Sequence, residues 1–133
     1  MSRSAIYTVN NTTQDVAQNG NISFGTTIRR YGCNLSMSGN AITIRGQGYY
    51  DVAINVTLAP TATGDVAVTL YKDGVAVPGA TSTGSVSTAN NPATLPVNCL
   101  IRETCCDTTS NLTLVLTGTA AAVSNVAAVV QKI

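Results

Sequence analysis

The stretch GYYDVAINVTL, Gly48 to Leu58, alternates with a period of two. Tyr50, Val52, Ile54, Val56 and Leu58 fall on one side of a strand, and Tyr49, Asp51, Ala53, Asn55 and Thr57 on the other. The first side is written for a core. The second is polar yet nearly uncharged, which suits contact with another protein better than contact with water alone. Adjacent tyrosines point to opposite faces, so Tyr50 is predicted inside and Tyr49 outside, where an amphipathic ring is most useful at an interface.

The same period recurs at Ile42 and Ile44, at Val66, Val68 and Leu70, at Val75 and Val77, and at Leu112, Leu114 and Leu116. Turn signals punctuate these runs: Asn19-Gly20, Tyr31-Gly32, Ser38-Gly39-Asn40, Gly46-Gln47-Gly48, Asp73-Gly74 and Asn90-Asn91-Pro92. Helical periodicity is hardly visible. The predicted fold is therefore all-β, a sandwich or jelly roll of many short strands. In YKDGVAV, Tyr71 to Val77, Asp73-Gly74 predicts a tight hairpin, because a type I′ turn needs two successive positive φ angles. Residues 81–91, poor in large side chains, are expected to hold a short strand and a surface loop. No linker divides the chain, so residues 1–133 are expected to form one domain, with 1–11 as an N-terminal tether or docking strand.

The terminal segment VSNVAAVVQKI, Val123 to Ile133, departs from the half-buried pattern. Val123, Ala127 and Val129 are expected on one face and Val126, Ala128 and Val130 on the other. Apolar residues on both faces mean that both are covered. A single sandwich covers one of them; a different chain or the N-terminal residues must cover the other. Tyr49, Val126 and Val129 are accordingly the expected subunit-interface residues.

Composition points the same way. The chain has 133 residues, 44% of them hydrophobic, enough to bury a core without disulfides or metals. Only 10% are charged and the net charge is +1, so there is no electrostatic footprint for nucleic acid or an anionic membrane. Weak charge also means weak self-repulsion, which favours association. The opening MSRSAIYTVN lacks the apolar run of a secretory signal, and no segment approaches eighteen consecutive apolar residues. The expectation is a chain made in a cytoplasm. Cys33, Cys99, Cys105 and Cys106 have no zinc-type spacing and no His to join them. They are read as small buried hydrophobes kept as thiols, with a disulfide as the alternative.

Groups able to do chemistry are scarce. The carboxylates Asp15, Asp51, Asp65, Asp73, Glu103 and Asp107 are scattered, and the abundant Ser and Thr have neither a GxSxG elbow nor a basic partner. Gly46-Gln47-Gly48 is a loop into the next strand, not a phosphate cradle. Arg29-Arg30-Tyr31 is too small a basic cluster for nucleic acid and reads as a solvated edge or a subunit contact. No enzymatic activity, cofactor or metal is expected.

Three features in order, Gly48 with Tyr50, Leu70 to Gly74, and the closing segment Val123 to Ile133, resemble the tumour-necrosis-factor-like and complement-globular-head-like jelly rolls. Members of that superfamily show a glycine-x-tyrosine strand, a strand reading leucine, tyrosine, basic, acidic or Asn, glycine, and a last strand in the subunit contact. The resemblance implies a two-sheet antiparallel jelly-roll β-sandwich of about ten short strands that assembles as a homotrimer about a three-fold axis. Short Asn/Thr/Ala-rich chains of this kind resemble bacteriophage virion components. The implied role is a capsid decoration or head fibre on the capsid exterior, assembled in the host cytoplasm, with the major capsid protein or another virion protein as partner. The alternative is a receptor- or carbohydrate-binding module that takes a host-surface glycan in the loops 61–64, 83–92 and 103–111.

Overall fold

In the computed structural model, which describes residues 4–38, 40–103 and 109–133, the period-two runs become twelve strands. In chain order these are β1 (Ala5–Asn10), β2 (Gln14–Val16), β3 (Asn21–Ile22), β4 (Thr26–Tyr31), β5 (Leu35–Ser38) and β6 (Ala41–Arg45). They continue with β7 (Gly48–Pro60), β8 (Gly64–Lys72), β9 (Val75–Val86), β10 (Ala93–Glu103), β11 (Thr109–Gly118) and β12 (Ala121–Lys132). One sheet runs β10-β7-β12-β1-β4 with β2 beside β12; the other runs β5-β6-β11-β8-β9 with β3 beside β11. Every pairing is antiparallel. Ten strands thus form two five-membered paths, the all-β jelly roll expected from the sequence. The short β2 and β3 are the additional pair.

The core fills the space between the sheets. Tyr50, Val52, Ile54, Val56 and Leu58 of β7 are all at most 1% exposed, and Val66, Val68, Leu70, Leu112, Leu114 and Leu116 close over them from the facing sheet. Each fully buried side chain of this size contributes about 1.5–3 kcal/mol, offset by the entropy of ordering the chain. The Tyr50 hydroxyl keeps partners by donating toward the carbonyls of Gly46 (2.9 Å) and Arg45 (3.1 Å). The expected hairpin is present: Lys72 pairs with Val75, and Asp73 and Gly74 have φ of 52° and 83°.

Two expectations are corrected. First, Val123 does not share a face with Ala127 and Val129. The β7 register shifts between Val123 and Asn125, so Ser124 is an extra residue that returns Val123 to the core side, beside Val126. The Ser124 hydroxyl donates to the Thr57 carbonyl at 3.3 Å. Ala5–Asn10, within the residues 1–11 expected as a tether or docking strand, is paired with β12 on one side and β4 on the other, so the sheet itself consumes its hydrogen bonds. Second, Cys33 is exposed and Cys99 only half-buried, both as free thiols, since Cys33 lies in the turn after β4 and Cys99 near the sandwich edge. Cys105 and Cys106 lie outside the described residues.

Candidate subunit interface

Both sheets have an outer face, and the two faces are chemically unlike. On the β5-β6-β11-β8-β9 sheet the outward positions are mostly hydroxyls and amides. Thr69 and Thr81 hydroxyls meet at 3.1 Å across β8 and β9, and the Thr43 hydroxyl donates to Asn111 Oδ1 at 3.0 Å. Such a face is satisfied by itself and by water.

The other outer face is not. The strand register sets its side chains in rows that cross the sheet. One row runs Arg29, Tyr7, Val129, Ala53 and Asn98; the next runs Tyr31, Ala5, Gln131, Asp51 and Leu100. A shorter row pairs Tyr49 with Arg102, whose guanidinium sits 5.8 Å from the Tyr49 ring centroid. Seven large hydrophobic residues are exposed among the described residues, and six of them belong to this sheet: Tyr7, Ile28, Tyr31, Tyr49, Leu100 and Ile133. Ile133 joins it through its amide, which donates to the Tyr49 carbonyl at 3.0 Å. A concentration of this kind, with few charges among it, makes this face the candidate contact surface.

Of the residues the sequence singled out, Tyr49 is 46% exposed on this face and Val129 is half-buried at its centre, between Tyr7 and Ala53. Val126, expected with them, is fully buried between the sheets, since unbroken alternation from Val126 to Val129 puts the two on opposite faces. Tyr31 falls in the Arg29-Arg30-Tyr31 cluster read as a solvated edge or a subunit contact, whereas Tyr7, Leu100 and Ile28 carry no such expectation. Alternation in AIYTVN already separates Ile6 from Tyr7, and Leu100 interrupts the series Thr94, Pro96, Asn98, Arg102; both signals were present in the sequence. Ile28 carries no such signal, since it is the residue bulged out where the β1–β4 register shifts.

The ionisable groups have structural duties. Glu103 is 4% exposed and pairs with Lys72 at 3.3 Å, while Asp73 Oδ1 accepts the Asn111 amide at 2.9 Å. Burial, reinforced by the negative charge of Glu103, raises the Tyr50 hydroxyl above its ordinary value. Burial, with Asp51 nearby, pushes the Cys99 thiol up to about 11. No cluster of metal-ligating side chains occurs among the described residues. Asp107 lies outside them.

No family model and no curated protein matches the sequence. Solved structures do match in shape. Murine APRIL, crystallised at pH 5.0, superposes with a TM-score of 0.74 at 12% identity, over 99% of this chain and 100% of that one. The globular domain of zebrafish complement 1qA superposes at 0.67 and 9% identity, over 97% and 94%. PRD1 vertex protein P5 superposes at 0.64 and 16% identity, over 98% and 96%. At such identities the likeness is one of fold. Strand order, burial and superposition agree that this chain folds as a jelly roll of the kind shared by tumour-necrosis-factor-like ligands, complement globular heads and a viral vertex protein.

Proposed function

We propose that the chain is a non-enzymatic structural protein of a virus particle, a homotrimer that docks on the capsid as a decoration or head-fibre protein. The observation that carries this reading is the segregation of the exposed large hydrophobic side chains onto one sheet face, with Tyr7 and Val129 toward its middle and Tyr49 near the start of β7. Three copies turning that face toward a common axis hide it, and an interface of ordinary size, about 1,600 Å² per contact, suffices to hold them. The hydroxyl-rich face of the opposite sheet then stays outward. The fold likeness to a PRD1 vertex protein supports the virion setting. The carbohydrate-binding alternative has no such support: the loops 61–64, 83–92 and 103–111 contain no aromatic residue on which a sugar could stack. The test is peptide mass spectrometry of purified virus particles from the source. The chain is expected at a fixed ratio to the major capsid protein, and particles that lack it would overturn the assignment.

A further inference from the structure

At the β10 edge of the apolar face the molecule is concave. On β9, Ala76 pairs with Tyr71 and Thr81 with Thr69, so four residues of β9 span what one residue, Leu70, spans on β8. Gly79, at φ 80° with open space around it, allows the excursion. The lifted segment leaves a groove of about 270 Å³ lined by Val75, Pro78, Leu100 and Ile101, with Lys72 and Arg102 at its rim. Both cations are engaged. Lys72 pairs with Glu103 and donates to the Arg102 carbonyl at 3.0 Å, while Arg102 lies over Tyr49. What the groove offers is apolar surface, including Val75 at 69% and Leu100 at 56% exposure.

The convex counterpart is on the opposite edge. All six residues of β4 are exposed, among them Ile28 at 54% and Tyr31 at 59%. Four strand intervals separate β4 from β10, about 19 Å, so knob and groove cannot meet within one chain. We propose that β4 of one copy seats Tyr31 and Ile28 in the β9–β10 groove of the next, and that Arg29 meets Asp51 across the contact. The proposal rests on the trimer reading and specifies which surfaces make it.

Geometry and charge support this occupant. A rotation axis along the mean strand direction joins opposite edges of the same sheet, and rotation about it brings each cross-sheet row of one copy to the height of the same row in the next, displaced only by the sheet's twist. Tyr31 and Leu100 share a row, so they arrive level with each other. Arg29 and Asp51 are one row apart, about 7 Å along the strand, within reach of an arginine. Neither makes an ion pair or side-chain hydrogen bond among the described residues, and three strand intervals, about 14 Å, keep them apart within a chain. The contact is head-to-tail, and a head-to-tail contact closes into a ring when the rotation between neighbours is a whole fraction of a turn, one third in the trimer.

Light scattering on a dilution series of the full chain tests this, using Arg29→Glu, Asp51→Arg, the double reversal, and Tyr31→Ser. Each single reversal juxtaposes like charges and is expected to weaken assembly by about 10-fold at low salt, and the double reversal to restore it to within about 3-fold. Tyr31→Ser, on a fully exposed strand, is expected to weaken assembly while circular dichroism stays unchanged. Trimers unaffected by the single variants, or not rescued by the double reversal, would overturn the knob-and-groove contact while leaving the trimer intact. A monomeric wild-type chain would overturn the trimer reading itself.

Discussion

Thr8 faces the core opposite Ala128, is fully buried, and its hydroxyl has no partner among the described residues. An unmade buried hydrogen bond costs about 1–3 kcal/mol, whereas an apolar group of the same shape costs nothing comparable. Thr8→Val is therefore expected to raise stability by about 1 kcal/mol, read in urea unfolding, and Tm by about 3 °C. A second prediction concerns Cys99. Its folded thiol is pushed from 9.0 up to about 11, so the folded protein resists ionisation that the unfolded chain accepts. The stability this protects is complete below pH 9 and is lost as pH rises from 9 toward 11. Tyr50, also raised, adds to the decline above pH 10. Urea midpoints measured across this window should fall, and should fall less in Cys99→Val. At pH 8 the exposed Cys33 should react with maleimide well before Cys99, as followed by peptide mass spectrometry.

Among the elements, β7 was legible residue by residue because its alternation is unbroken from Gly48 to Leu58 and Asp51 is its one charge. The same logic failed on β12 at a single position. A period-two reading assumes that no residue is skipped, and Ser124 is skipped: the bulge reverses the phase of Val123 relative to Ala127 and Val129. A small hydroxyl residue between Val123 and Asn125 carries no mark of a bulge, and the partner its hydroxyl takes, the Thr57 carbonyl on β7, lies 67 residues away. Two substitutions on this strand separate the faces. Val126→Asp puts an unpaired carboxylate in the core and is expected to cost more than about 5 kcal/mol, enough to unfold the chain. Val129→Asp is expected to leave the circular dichroism spectrum intact and abolish assembly. An assembled Val129→Asp protein would remove β12 from the interface. In the turn joining β11 to β12, Gly118 has φ 84° and a Cβ there would run into the Asp65 carbonyl, so Gly118→Ala should destabilise by about 2 kcal/mol or more.

At the scale of the whole molecule, composition and turn spacing were sufficient for the architecture, because a chain with 11 glycines and recurrent turn signals has few alternatives to a sandwich. Sheet order was not legible in the same way: that β1 inserts between β12 and β4, and that β4 and β10 become opposite edges, follows from long-range pairing which no local pattern encodes. The candidate face was half legible for that reason. Tyr49 could be placed by alternation, but the gathering of Tyr7, Val129, Leu100 and Tyr31 onto one face needed the strand order. Sedimentation equilibrium of the wild-type chain at physiological salt and tens of micromolar tests the claim on which the account turns, that this face is built to be covered by copies of itself. The account expects a species of three times the 13.6 kDa chain mass; a single species of 13.6 kDa would contradict it.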